Sequence, residues 1–409
     1  MYRVNGNRIL HNGSEIQLFG ANWIGFETAG ACIHGLWSNG LEAMVRKLKE
    51  LRYNHVRLPI GPMAIKETTR PGDGLIDFGQ NRDLDGLSSL QILDAVIDSF
   101  ERHGIRYVFD WHYLENGIPP LWYTDRYSED QWLTDLSFLA NRYQGQPGFV
   151  GIDIKNEPKN PVASWGGGDA KTDFKMATEL AFDAIDAVNS DILVIYEAGD
   201  FRPGVTPLVK NPPNIPSDRR VPSIHIYGPS LWGDQFSDQW WDESFGNVCQ
   251  DAPVYIGEYG AIYPGKDKAW QDAFINYLLR KKVLNTAVWG YTKSSHYADF
   301  GILSGERVDE VNKQRNEAIQ RLWTPLATFT TDRPKPVPVP EPEPKPEPAP
   351  APVGGELRPG DHVQFLTGKG PTLVVGRITA EKKIAAAFFN EVSGRLEEVT
   401  CDSVYLKRV

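Results

Sequence analysis

The sequence predicts an α/β fold class: a (β/α)8 barrel, followed by a Pro-rich linker and a small all-β, SH3-like barrel. Three observations carry this. Short strand-like runs alternate with amphipathic helical runs through residues 1–328. From Pro334 to Pro352 proline takes every second position, ten in nineteen residues. The 54 residues of 356–409 then return to strand-like patterning. The expected domains are 1–328, 329–355 and 356–409.

Tyr2–Ile16, with Asn5-Gly6 and Asn12-Gly13 turns, reads as a hairpin that plugs the barrel bottom. Eight runs rich in β-branched and apolar residues read as the barrel strands. They are Gln17–Asn22, Asn54–Pro59, Arg106–His112, Val150–Asn156, Ile192–Glu197, Ser223–Tyr227, Val254–Glu258 and Thr286–Tyr291. Between them lie helical patterns. Leu41–Leu51 places Leu41, Met44, Val45, Leu48 and Leu51 on one face. Leu90–Phe100, Trp132–Tyr143, Phe174–Val188 and Trp270–Leu279 behave alike. The helix after the fifth strand is weakly signalled, because Pro203–Pro216 holds five prolines. A doubly wound sheet is the rival fold, but no G-x-G-x-x-G follows the first strand.

Proline fixes φ and removes a donor, so the linker is expected as a polyproline II rod of roughly 60 Å, at about 3.1 Å per residue. The tail runs His362–Leu366, Thr372–Ile378, Ile384–Phe389, Leu396–Thr400 and Val404–Leu406 read as strands of one small core.

A barrel places catalytic groups at the C-terminal ends of its strands. Those ends carry Asn22 and Trp23, Arg57, His112, Asn156 and Glu157, Glu197, His225 and Tyr227, Glu258, and Trp289. Two of them are carboxylates in matched settings. Glu157 follows the apolar run Phe149–Ile154, and Glu258 follows Val254-Tyr255-Ile256-Gly257. Such a pair suits acetal cleavage, in which one carboxyl protonates the leaving oxygen and the other attacks the anomeric carbon or activates water. Glu157 as the acid needs a raised pKa, from apolar walls and the second carboxylate. Glu258 must stay ionised, with Arg57 as counter-ion and Tyr227 as hydroxyl donor. Asn156 is placed to bind a sugar 2-hydroxyl, His112 and His225 to bind sugar hydroxyls or tune the acid, and Trp289 to floor the reacting sugar. No metal and no cofactor is expected, since two carboxylates suffice and the histidines lack ligand spacing.

Composition narrows the partners. A net charge of −10 argues against nucleic acid or an anionic membrane. No apolar run reaches 18 residues. Twelve tryptophans suit a core and also sugar faces. Cys32, Cys249 and Cys401 form no zinc pattern or disulfide framework, and only Cys32 with Cys249 is a conceivable pair. No signal peptide is visible after Met1-Tyr2-Arg3. A monomer is expected.

The segments Asn54-His55-Val56-Arg57-Leu58-Pro59, Asp153-Ile154-Lys155-Asn156-Glu157-Pro158, His225-Ile226-Tyr227 and Ile256-Gly257-Glu258-Tyr259-Gly260 resemble glycoside hydrolase family 5. Asn22-Trp23-Ile24-Gly25-Phe26-Glu27-Thr28, His34-Gly35-Leu36-Trp37, Leu121-Trp122-Tyr123-Thr124 and Ser164-Trp165-Gly166-Gly167-Gly168-Asp169 look like its bacterial endo-β-1,4-glucanases. The similarity is collinear over about residues 2–325. It implies a secreted (β/α)8 enzyme that cleaves β-1,4-glucosidic bonds of cellulose and related β-glucans with retention. Glu157 becomes acid/base and Glu258 nucleophile, their carboxyls about 5–5.5 Å apart. Arg57, His112, Asn156, His225, Tyr227 and Trp289 match the family's remaining active-site positions, with Trp122 and Trp165 as sugar platforms, and Asn22, from its strand end, counts as a further substrate contact. The loop Trp111–Gly117 departs from the endoglucanase pattern and leaves a β-mannanase, xylanase or mixed-linkage glucanase as alternatives. A catalytically dead, glycan-binding barrel is a further one.

The tail motifs Pro359-Gly360-Asp361, Gly370–Val375 and Phe388-Phe389-Asn390 resemble a family of small bacterial proteins of unknown role. Its place behind the linker fits an insoluble-polysaccharide or a cell-envelope target. It has no Trp, and eight basic against seven acidic residues give nucleic acid little to hold.

Overall fold

Residues 1–16 form a three-stranded antiparallel sheet: β1 (Tyr2–Asn5), β2 (Arg8–His11) and β3 (Ser14–Ile16). Asn12 and Gly13 both take positive φ, 50° and 82°, which suits the tight turn between β2 and β3. Eight parallel strands follow. They are β4 (Phe19–Asn22), β5 (His55–Ile60), β6 (Arg106–Trp111), β7 (Phe149–Asp153), β8 (Leu193–Glu197), β9 (Arg220–Tyr227), β10 (Tyr255–Gly260) and β11 (Thr286–Val288). They pair in chain order, and β11 closes on β4. The computed structural model describes residues 1–326 apart from Asn116, 198–203, 234–236, 264–265 and 294–299, together with the backbone of five strands near the C-terminus.

The helices around the barrel are α1 (Leu41–Glu50), α2 (Ser89–His103), α3 (Glu129–Arg142), α4 (Phe174–Asp186), the short α5 (Thr206–Lys210), α6 (Pro229–Trp232) and α7 (Asp238–Trp241), then α8 (Lys266–Lys281) and α9 (Lys313–Gln320). Local chemistry sets several ends. Ser88 and Gln91 form a capping box on α2, and Gly104 ends that helix with φ 63°. Ser128 and Asp173 cap α3 and α4. Prolines hold α5 to five residues.

Two apolar clusters result. The outer one packs strand faces against helices. The inner one fills the barrel bottom with Leu18, Val108, Val150, Leu193, Ile195, Val221, Tyr255 and Ala287, sealed by Tyr2, Val4, Ile9 and Ile16 of the N-terminal sheet. This is the expected plug. Strand period then decides what lies above it, because every second side chain enters the barrel. Above Val108 come Asp110 and His112, above Ile195 comes Glu197, and above Val221 come Ser223, His225 and Tyr227.

Cys32 and Cys249 are both buried free thiols, so the conceivable pair is not formed. The chain divides into two units, Met1–Asp332 and Arg333–Val409. The second contains β12 (His362–Phe365), β13 (Leu373–Ile378), β14 (Ile384–Asn390), β15 (Arg395–Cys401) and β16 (Leu406–Arg408), an antiparallel sheet in the order β15-β14-β13-β12-β16. The expected linker at 329–355 lies outside the described residues, as do the loops on which SH3-like closure depends.

Candidate active site

Arg57, on β5, organises the mouth of the barrel. Its side chain is 0 % exposed. Nη1 lies 2.8 Å from Glu258 Oε1, 2.9 Å from Asp110 Oδ2 and 3.0 Å from Asn22 Oδ1. Nη2 donates to Asp153 Oδ2 at 2.9 Å and to Asn156 Oδ1 at 3.0 Å. Strand register explains the convergence: Asn22 faces Arg57 across β4–β5, and Asp110 faces Asp153 across β6–β7.

Glu258 is delivered by an irregularity. The β9–β10 register shifts between Ile256 and Glu258, which sets Glu258 opposite His225. Gly257 is needed there, since a Cβ would sit 2.6 Å from Ser223 Oγ and 3.1 Å from His225 Nε2. The Glu258 carboxylate takes Arg57 on one oxygen and the Tyr227 hydroxyl on the other. Only 4 % of it is exposed. Removing the hydroxyl in Tyr227→Phe takes a donor from the charged form and raises its pKa. The acid limb of kcat/KM is expected to move to higher pH, with about a tenfold loss in kcat near neutrality, as read from a pH–rate profile.

Glu157 lies four residues past the end of β7, not on the strand. It adopts φ 44°, in the left-handed region, which turns its side chain across the mouth. Its carboxyl is 17 % exposed, the most open of this cluster. One of its oxygens, one of Glu258 and a His225 ring nitrogen all lie within 4.8 Å of one another. His225 Nδ1 is 3.0 Å from Glu157 Oε1 and 3.5 Å from Glu258 Oε2, while Nε2 is 2.6 Å from Glu197 Oε1. That last contact is too far out of line for a hydrogen bond and is ionic.

The electrostatics reverse one expectation. Burial opposes the His225 imidazolium, but the charges of Glu197 and Glu258, with the hydrogen bond to Glu157, push its pKa well above the usual range. Burial would raise Glu157, yet the His225 hydrogen bond and charge hold it below the ordinary value, not above it. Burial pushes Glu258 up, against the pull of His225 and Arg57. The apolar walls foreseen for Glu157 are therefore outweighed by an imidazolium that apolar strand patterning does not reveal.

Other sequence-predicted residues divide. Asn156 gives its oxygen to Arg57, and its buried Nδ2 has no protein partner among the described residues. His112 Nδ1 is 2.5 Å from Asp110 Oδ2, and its ring stacks on half-buried Trp289 at 5.6 Å. Asn22 is corrected from substrate contact to scaffold: it is fully buried, and its amide donates to the carbonyls of Gly257, Ala287 and Val288. Trp122 is corrected too. It is buried against Trp132 and Phe174, and its N–H donates to Glu129, so no face is open to a sugar. Half-buried Trp165 stacks on Tyr196 at 5.5 Å and donates to Asn211 O.

Asp110, Asp153 and Lys155 were unassigned by sequence, and Glu197 was noted only as a strand end. Their signal was a charge inside an apolar buried run, as in Phe109-Asp110-Trp111 and Ile152-Asp153-Ile154. Glu27 was missed as well. Burial pushes its carboxyl up to about 7, although it accepts from Gly25 N at 2.6 Å. Burial likewise pulls Lys155 down to about 8. Asp110–His112–Glu258, Asp153–Glu197–His225 and Glu157–His225–Glu258 each bring ligand-type atoms within 4.8 Å. Arg57 and His225 already supply positive charge to these sets.

One carboxyl is open enough to meet a leaving oxygen, and a second is clamped beside it. On a parallel barrel, that arrangement suits glycoside hydrolysis, and comparison with known proteins places the chain among glycoside hydrolases. Residues 10–295 match the family model for cellulase, glycosyl hydrolase family 5, and the chain belongs to that family, within its endoglucanase group. It is 35 % identical to the major extracellular endoglucanase of Xanthomonas campestris pv. campestris, over 79 % of this chain and 71 % of that one. It is 32 % identical to an endoglucanase of Paenibacillus polymyxa, over 80 % and 88 %. The solved catalytic domain of the Xanthomonas enzyme superposes with a TM-score of 0.74 at 34 % identity, covering 79 % of this chain and 99 % of that one. Among the described residues no helix is long and apolar enough to cross a membrane.

Proposed function

We propose that the chain is a secreted endoglucanase that cleaves internal β-1,4-glucosidic bonds of cellulose and related β-glucans by double displacement. The carrying observation is the 4.8 Å limit on the separation of Glu157 and Glu258 oxygens. One oxygen of each carboxylate lying that close favours the short spacing of a retaining pair, about 5–5.5 Å, over the about 6.5–9.5 Å of an inverting one. The extracellular Xanthomonas relative and the endoglucanase names of both relatives support the substrate and the location.

Glu258 attacks the anomeric carbon as the C–O bond to the leaving sugar breaks, and Glu157 gives that oxygen its proton. The proton is held in the 3.0 Å Glu157–His225 hydrogen bond, from which transfer to the carboxyl leaves a neutral imidazole. Glu157 then takes a proton from the water that hydrolyses the glycosyl ester. Asn156 Nδ2 is free to donate to the 2-hydroxyl. Trp289, whose ring stacks on His112, would floor the reacting sugar.

Glu157→Ala is expected to lose about 10²–10⁴-fold in kcat/KM on soluble cellulose. The loss should shrink sharply on an aryl cellobioside whose leaving group departs unprotonated. An equal loss on both substrates would remove Glu157 from the acid role. Faster turnover of mannan or xylan than of soluble cellulose would overturn the glucan assignment.

A further inference from the structure

Glu197 ends β8, and the family resemblance gave it no part. The strand points it inward, in line with Leu193 and Ile195 below. Its two oxygens do different things. Oε2 accepts from the Glu157 backbone N–H at 3.2 Å, at the residue whose φ is 44°. Oε1 lies 2.6 Å from His225 Nε2 and 3.7 Å from Arg57 Nη2, and takes no aligned hydrogen bond among the described residues. Its charge faces those two cations, with Lys155 also coupled to it. His225, in turn, holds Glu157 by the opposite ring nitrogen.

We propose that Glu197 is a positioning residue for the acid: one oxygen holds the Glu157 backbone turn, while the other keeps on His225 the proton that Glu157 will deliver. This rests on the reading of Glu157 as acid. The groups coupled to His225 are Glu157 and Asp153 from β7 and its following loop, Glu197 from β8, Glu258 from β10 and Asp110 from β6; Arg57, Lys155, His112 and Tyr227 bear on it through those carboxylates. Of the carboxylates, Glu197 stands nearest to the imidazole.

The sign follows. A carboxylate beside the imidazole stabilises the shared proton, so loss of its charge releases that proton at lower pH. Glu197→Gln keeps an oxygen for the Glu157 N–H and removes only the charge. The alkaline limb of kcat/KM is expected to move about 1–3 pH units to lower pH, within the span a neighbouring charge produces. At neutral pH the loss should be large on soluble cellulose and small on the activated aryl cellobioside. Glu197→Asp keeps the charge and should return the limb most of the way. Thermal melts of both variants report on folding. An alkaline limb of Glu197→Gln that coincides with that of the unaltered protein would overturn the proposal, as would equal losses on both substrates. Full activity of Glu157→Gln on cellulose would instead sink the acid assignment itself.

Discussion

Glu258→Ala is expected to lose at least about 10⁴-fold in turnover on soluble cellulose, with its fold intact. The carboxylate is where Arg57, Tyr227 and the shifted β10 register all converge, and alanine removes the group they hold. Alanine leaves a gap on the face it occupied. Azide should fill that gap and restore part of the rate, and the product anomer reports the role. From the Glu258 face azide displaces the leaving sugar directly, giving the α-glycosyl azide. With Glu157→Ala, azide instead intercepts the covalent ester from the opposite face and gives the β-anomer. Activity of Glu258→Ala equal to that of the unaltered protein would refute double displacement here. So would identical azide products from the two variants.

Arg57→Met should damage both rate and stability. The guanidinium faces Asp110, Asp153, Glu197 and Glu258, all buried. Removing one partner of a buried ionic set costs about 3–5 kcal/mol, because the remaining charges stay desolvated and repel one another. Denaturant unfolding measures this. Burial disfavours the Asp110 charge, but Arg57 and His112 outweigh it and hold that carboxyl below its ordinary value. A depressed carboxylate pKa gives stability that is present above the unfolded value and is lost as pH falls through the folded one. The deficit of the variant should therefore be largest near neutrality and narrow in acid. Arg57→Lys should rescue little, since a single ammonium cannot span contacts from Nε, Nη1 and Nη2. A deficit unchanged by acid would argue that packing, not charge, holds this core.

The barrel was readable from local patterning because each strand run is apolar on both faces and each helix run on one. Strand ends shifted by a few residues: Asn156 was read as strand, yet β7 stops at Asp153 and a left-handed turn at Glu157 follows. In sequence, its strand-end position marks Asn22, and the family resemblance marks Trp122, as sugar contacts. Their neighbours decided otherwise, through three carbonyls for Asn22 and an aromatic cluster for Trp122. Sequence carries no record of which polar groups are already satisfied.

By itself the sequence determined the barrel and marked the pair Glu157 and Glu258, with Arg57, Asn156, His225 and Tyr227, as candidates. Strand period and family motif are local properties that need no coordinates. Only the tertiary structure brings Glu157 beside the His225 imidazole that lowers its pKa. Glu197, His225 and Glu157 come from β8, β9 and the loop after β7, and their charges meet only when those strands lie side by side in the closed barrel. Coulombic coupling depends on distance through space, so the state of the acid is written in the folded arrangement.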